Sequence, residues 1–440
     1  MEILIKAGQL ILSLSILIVF HEAGHFFFAK LFKTRVEKFY LFFDPWFSLF
    51  KTKWGETEYG IGWVPLGGYV KISGMIDESM DKEQMKQPAQ PWEFRSKPAW
   101  QRLLIMLGGV MVNFILAFAI YVMILFVWGK EYLPTESVKY GVMVDSLGTK
   151  FGMQNGDKVA LVNGRKIDNF SSIVPEILLN EPRTIQLDRN GKDVEITFTD
   201  QMIGEIIRHK GPFFSPRFPF IANGFSENSA AKDAGMLKGD RIIALAGERT
   251  MYFDEFKSKI DSYKDKNVDI TVDRNGQKEI LSIHVSEDGL IGVMPKGNMS
   301  EFFKMQRIEY SVGEAIPAGV SKGYSEVGNY LKQFKLIFNS ETEAYKSVGG
   351  FIAIGNIFPD TWDWQVFWSM TALLSIMLAV INILPIPALD GGHVLFLFFE
   401  IISGRKPSDK FLEYAQIVGM VLLFSLLIFA NGNDIVKLFN

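Results

Sequence analysis

Residues 3–31 read ILIKAGQLILSLSILIVFHEAGHFFFAKL, and this stretch decides what kind of protein the chain forms. A bilayer's hydrocarbon core takes roughly 20 helical residues to cross, and this run supplies them. It lacks a convincing charged n-region, and its apolar character continues past any plausible cleavage point, so it is expected to be a retained membrane helix rather than a signal peptide. Within it stands His21-Glu22-Ala23-Gly24-His25. The i, i+4 spacing puts both imidazoles on one helical face, where two ring nitrogens can hold one zinc ion, and Glu22 beside them can take a proton from a hydrolytic water. A charged side chain near a bilayer centre costs about 2.5 to 3.5 kcal/mol on translocon scales. Three ionisable groups within five residues of such a helix require a compensating function.

Working outward, residues 103–128, 366–387 and 411–430 are also long and apolar enough to span. Basic residues accumulate on the cytoplasmic side of membrane helices. Lys30, Lys33, Arg35 and Lys38 follow the first run, Arg95, Lys97 and Arg102 precede the second, and Arg405, Lys406 and Lys410 separate the third from the fourth. No Lys or Arg occurs from 347 to 387, while Asp360 and Asp363 precede the third run. Both termini and the section 129–364 are thus expected outside. Composition agrees: of 440 residues 48% are hydrophobic and 22% charged, so apolar spans alternate with polar domains. A balance of 46 basic against 49 acidic residues gives no reason to expect a nucleic-acid partner. The absence of cysteine excludes disulfides, thiolate-bound metals and a cysteine nucleophile, leaving His, Asp and Glu to hold any metal.

The exported section repeats itself. Gly152-Met153-x-x-Gly156-Asp157-Lys158-Val159 recurs as Gly235-Met236-x-x-Gly239-Asp240-Arg241-Ile242, and Gly164 and Gly247 keep the same spacing. Asp188-Arg189-Asn190-Gly191 recurs as Asp273-Arg274-Asn275-Gly276, a turn signature after the strand-like runs 184–187 and 268–272. The pattern resembles the segment of PDZ domains that leads into a β-hairpin, so two tandem PDZ-like β-rich domains are expected, 129–212 and 213–300. Such domains bind extended peptides by strand addition; rigid spacers are the alternative. Val312, Ile316, Val320, Tyr324, Val327, Leu331, Phe334 and Phe338 recur at three- and four-residue steps, which predicts an amphipathic helix within a connector 301–346. It is expected on the outer membrane face or against the second PDZ-like domain.

Two histidines leave a catalytic zinc one protein ligand short. His209 and His284 lie in the exported section, whereas His393 and Asp390 follow the third span, on the side where His25 ends the first. Asp390 can therefore meet His25, as a ligand or as the N-cap of the next helix. It belongs to Asn382-Ile383-Leu384-Pro385-Ile386-Pro387-Ala388-Leu389-Asp390-Gly391-Gly392-His393. Pro385 and Pro387 interrupt helix here, and broken backbone at membrane depth is tolerated only beside protein or a wet cavity. On the cytoplasmic side Tyr59, Ile61 and Trp63 alternate towards Pro65, and Gly67-Gly68 turns into Val70 and Ile72, which predicts a hairpin. Its edge could pair with a substrate helix that has been unwound.

HEAGH in a first membrane helix, the two repeats, N-x-x-P-x-P-x-L-D-G-G-H in a third, and Val64-Pro65-Leu66-Gly67-Gly68-Tyr69-Val70-Lys71 together resemble the site-2 protease family of intramembrane zinc metalloproteases, over nearly the whole chain. The resemblance implies a polytopic α-helical membrane protein with four transmembrane helices, two tandem PDZ-like domains and a membrane re-entrant β-loop. Segments 1–128 and 347–440 would carry the helices. It implies His21, His25 and Asp390 as Zn²⁺ ligands, Glu22 as catalytic acid/base, and Asn382, Gly67, Gly68 and Tyr69 as substrate contacts. Substrates would be single-pass membrane proteins such as anti-sigma factors, or remnant signal peptides, met in the lipid bilayer of the bacterial inner membrane by a monomer. The PDZ-like pair would filter substrates. One departure is Gly349-Gly350-Phe351, where many relatives carry Gly-Pro. A PDZ-based membrane adaptor or chaperone with a structural metal is the competing reading, against which Glu22 argues. A metal transporter is a third, against which four spans argue.

Overall fold

The computed structural model describes residues 2–65, 67–75 and 87–439, so Leu66 of the expected β-loop lies outside the described residues. Its long helices are α1 (Glu2–Leu31), α2 (Ala99–Trp128), α3 (Val312–Phe338), α4 (Trp364–Ile383), α5 (Asp390–Ser403) and α6 (Asp409–Phe439). Among the described residues four of them, α1, α2, α4 and α6, are long and apolar enough to cross a membrane. The 20 residues of α4 rise about 30 Å, one hydrocarbon thickness. The third span was expected to run on to residue 387. It stops at Ile383 because Pro385 and Pro387 can neither donate nor fit within a helix.

The chain divides into two compact units, one of Met1–Gly129, Glu309–Lys335 and Tyr345–Asn440, the other of Lys130–Ile308 and Leu336–Ala344. In the first, α1 and α2 approach until backbone touches backbone: a Cβ on Gly24 would run into the carbonyl of Gly108. Small residues permit such closeness between membrane helices, where interhelical polar bonds also hold. Thr371 Oγ1 donates to Ser13 Oγ at 3.0 Å, and Ser375 Oγ to the Asn113 carbonyl at 2.8 Å. The expected amphipathic helix is α3, and its Val327, Tyr330 and Phe334 pack with Ala117, Tyr121 and Ile376 of α2 and α4. At the Gly349 departure, Asp434 of α6 accepts from the Gly350 and Ala353 amides at 2.9 and 3.0 Å, capping the short helix Phe351–Gly355.

The same unit contains a four-stranded sheet of β1 (Val36–Leu41), β2 (Phe50–Trp54), β3 (Thr57–Ile61) and β4 (Tyr69–Ile72), in the order β2-β3-β1-β4. The expected hairpin between 59–63 and 70–72 does not form. Instead β1 lies between, parallel to β3 and antiparallel to β4. The hairpin of this region is β2–β3, turning at Gly55. β1 takes the inner position, paired on both sides, with Val36 and Tyr40 almost completely buried. β2 forms one edge with every residue exposed, and β4 forms the other.

In the second unit the sequence repeat is a repeat of strand order. β5 (Lys158–Val162), β6 (Thr184–Arg189) and β7 (Lys192–Thr197) form an antiparallel sheet β5-β6-β7. β8 (Arg241–Leu245), β9 (Glu248–Arg249), β10 (Asn267–Arg274) and β11 (Gln277–His284) form β9-β8-β10-β11, also antiparallel. The matching motif residues do matching work. Asp157 and Asp240, each 1% exposed, accept from the guanidinium groups of Arg189 and Arg274, which also donate to the Gly152 and Gly235 carbonyls. Each repeat closes its own core, around Ile185 and Leu187 in one and Ile270 and Val272 in the other.

Candidate active site

α1 delivers His21, Glu22 and His25 to one wall of a cavity of about 540 Å³. The break between α4 and α5 lines the same cavity through Asn382, Ala388, Leu389 and Asp390. Leaving α4, the chain makes a tight turn through Pro385 and Pro387 that carries Ala388 at φ +82°, a left-handed value unusual for a residue with a Cβ. Gln416 of α6 secures it by accepting from the Ala388 amide at 3.2 Å. Asp390 then opens α5 as its first residue. Leu389 holds the N-cap position, so the alternative reading of Asp390 as a cap is not what the fold uses, and the carboxylate is left to face the imidazoles.

Nε2 of His21, Nε2 of His25 and Oδ2 of Asp390 form a triangle with sides of 3.2, 3.2 and 3.3 Å. Ligand atoms at about 2.0 Å from one tetrahedral zinc stand about 3.3 Å apart, so the triangle has the dimensions of three corners of such a site. The donors suit zinc as well, being two imidazoles and a carboxylate. Oδ2 of Asp390 is buried and has no well-formed hydrogen bond among the described residues, an acceptor that a cation would satisfy. Both imidazoles are under 10% exposed. The residues present fit the metal.

Around this triangle the structure places the other sequence-predicted residues. Glu22 lines the cavity, and the Val70 amide of β4 bonds its carboxylate. Asn382, in the last turn of α4, sets Nδ2 3.4 Å from Nε2 of His21. Gly68 packs so closely on α1 that a Cβ there would lie 2.5 Å from Ile18 Cγ2 and 2.7 Å from the Tyr40 carbonyl. It and Tyr69 line the cavity, and the Tyr69 hydroxyl donates to Asp44 at 2.9 Å. Gly67 is not among the lining residues. His393 lines the cavity one turn beyond Asp390 but is outside the triangle. In the second unit His209 pairs with Asp145 and His284 with Asn267.

Four contributors were missed from the sequence. The Ile105 carbonyl lies 2.8 Å from Nδ1 of His25, Nδ2 of Asn113 lies 3.1 Å from Nδ1 of His21, and Gln416 holds Ala388. A Cβ on Gly109 would stand 2.5 Å from Nε2 of His25 and 2.6 Å from Cε1 of His21, so only glycine leaves room for the rings. The Gly109-x-x-x-Asn113 spacing in an apolar helix was the available signal, placing both on one face.

Comparison with known proteins gives the same direction. The chain is 26% identical over 464 residues to the regulator of sigma-E protease of Salmonella typhimurium, covering all of both chains. It is 24% identical over 471 residues to the regulator of sigma E protease of Haemophilus influenzae, again over both full lengths. A Vibrio cholerae protein provisionally named a zinc metalloprotease is 28% identical over 465 residues, 97% of this chain and 98% of its own. The profile of peptidase family M50 matches residues 9–426, a span that includes both histidines and the aspartate of the triangle, and the chain belongs to that family.

Proposed function

We propose that this membrane-spanning zinc metallopeptidase hydrolyses a peptide bond within or beside a transmembrane helix of another membrane protein, using Glu22 as proton carrier and His21, His25 and Asp390 as metal ligands. The observation that carries the reading is the buried triangle of ligand atoms on the wall of a cavity that also receives Glu22. Zinc, when bound there, supplies Lewis acidity for the scissile carbonyl and makes water acidic enough to attack near neutral pH. Glu22, held by the Val70 amide, takes the proton from the attacking water and returns it to the leaving amine. Asn382 offers an amide that both donates and accepts, suited to the peptide group of an unwound substrate. β4 supports the same task, because its outer edge carries no partner strand among the described residues and its residues line the cavity. A helix hides its carbonyls, so an extended substrate laid along that edge would present the scissile bond.

In this reading the segment 64–71 that leads into β4 is the re-entrant loop, and the exposed Trp46 and Phe47 between β1 and β2, with Trp54 of β2, suit a membrane interface. The two repeats are PDZ-like filters on the extracytoplasmic side, both termini are extracytoplasmic, and the membrane is the bacterial inner membrane. By likeness to relatives named as regulators of sigma E, an anti-sigma factor with one transmembrane helix is the first substrate to test. The experiment is cleavage of such a substrate by purified protein in detergent, with chelator, and with zinc restored afterwards. Chelation is expected to abolish cleavage and zinc to restore it; cleavage that survives chelation overturns the reading.

A further inference from the structure

The surroundings of His21 carry one step more, which rests on the metal-site reading above. Asn113 is fully buried on α2 and is not among the residues that line the cavity. Its Nδ2 lies 3.1 Å from Nδ1 of His21, while its Oδ1 is buried with no partner among the described residues. At the other nitrogen of the same ring, Nδ2 of Asn382 lies 3.4 Å from Nε2. A neutral imidazole has one N–H and one lone pair, so it can accept from only one of these two amides. The oxygen and nitrogen of an asparagine amide have nearly the same shape, and the hydrogen-bond network decides which is which. Turned over, Asn113 presents Oδ1 to Nδ1 of His21 as an acceptor. His21 then carries its proton on Nδ1 and aims the Nε2 lone pair at the point shared with His25 and Asp390. His25 is already held this way, because the Ile105 carbonyl can only accept and lies 2.8 Å from its Nδ1.

We propose that Asn113 is the positioning residue for His21: its amide oxygen accepts from Nδ1–H and thereby fixes both the tautomer and the ring plane of the ligand. α2 then supplies the outer partner of each imidazole, through the Ile105 carbonyl and the Asn113 amide. The bond from Ser375 Oγ to the Asn113 carbonyl, 2.8 Å long, holds this level of α2 against α4. Outer partners of metal-bound imidazoles commonly govern affinity by 10- to 100-fold.

The test compares full-length wild type, Asn113→Leu and Asn113→Asp in detergent, with zinc affinity measured by competition against a chromophoric chelator. Co²⁺-loaded samples report ligand geometry through their visible absorption. Asn113→Leu is expected to weaken zinc binding by about 10- to 100-fold and to alter the Co²⁺ spectrum, whereas Asn113→Asp, which keeps an acceptor, stays within about threefold of wild type. Thermal unfolding of the metal-free proteins identifies a misfolded variant, in which case Asn113→Ala, which only removes atoms, gives the same reading. Wild-type affinity and spectrum in Asn113→Leu overturn the proposal. So does equal weakening in Asn113→Leu and Asn113→Asp, since space rather than an acceptor would then be what matters. A wild type that binds no zinc, or whose affinity is unmoved by His25→Ala, overturns the metal-site reading itself.

Discussion

His21, Glu22 and His25 lie within five residues of one helix, and the proposed function gives them two tasks. The imidazoles point into the triangle with Asp390, while Glu22 faces the cavity and the Val70 amide. In that reading coordination and proton transfer reside on different atoms, so a substitution can separate them. Glu22→Gln is expected to keep zinc at wild-type affinity while cleavage falls by about 10²- to 10⁴-fold, the range for losing a general acid/base. Metal analysis of the purified variant beside a cleavage assay checks both halves, and loss of zinc would remove Glu22 from its assigned role. Gly109→Ala should do the reverse. The added methyl meets the rings of His21 and His25, so zinc affinity should drop while Glu22 is untouched. Overpacking of this kind costs about 1 to 3 kcal/mol, roughly 5- to 150-fold in zinc affinity where the rings rather than the helices yield. Equal zinc affinity in Gly109→Ala and wild type would mean that the helices shift apart instead.

Among the elements, α4, the proline turn and α5 act as one device for aiming Asp390. Pro385 and Pro387 end α4 early, Gln416 holds Ala388 in its left-handed conformation, and α5 starts with its carboxylate turned towards α1. Gln416→Leu is expected to release Ala388 and weaken zinc binding without touching a ligand. The zinc titration checks it, and an unmoved affinity would leave the turn to be held by the prolines alone. In the second unit, each repeat has one buried aspartate bonded to an arginine of its paired strands. Burial opposes ionisation of Asp240, but the hydrogen bonds from Arg274 and the Leu237 amide, with the Arg274 charge, hold its carboxyl below the ordinary value. The unfolded chain then binds a proton more readily than the folded one. The stabilisation is thus fully present above about pH 4 and is lost as the pH falls through the lowered value. Hydrogen-exchange protection over residues 230–285 of the full chain, taken relative to the intrinsic rate at each pH, should fall in that acid range, and Asp240→Asn should exchange roughly tenfold faster at pH 7 with that acid dependence removed. Exchange that is equally slow in Asp240→Asn at pH 7 would show that the Arg274 pairing contributes nothing to the repeat.

For the whole molecule, the chain divides into a helical unit that carries the triangle and a unit that carries the two repeats, and the proposed function assigns chemistry to the first and admission of substrate to the second. If the repeats filter substrates, the intact protein is expected to reject a membrane substrate that still carries a folded outer domain, and deleting residues 141–293 is expected to permit its cleavage. A folded deletion protein that still rejects it would make the repeats spacers. Much of this arrangement is written locally and so could be read from the chain alone. Membrane spans follow from run length, the spacing of His21 and His25 from helical periodicity, and the paired repeats from their own identity, because each depends on residues that are neighbours in sequence. The convergence of Asp390 with His25 was legible only as far as membrane sidedness allowed, as two groups at one depth. What the tertiary structure alone decided depends on how separate elements rotate and stack. Gly109 and Asn113 matter because α2 turns that face to α1, Gln416 matters because α6 lies against the turn at Ala388, and β1 pairs with both β3 and β4, neither of them the next strand in sequence. Helix rotation and strand order are set by the sum of many long-range contacts, and no local pattern encodes that sum.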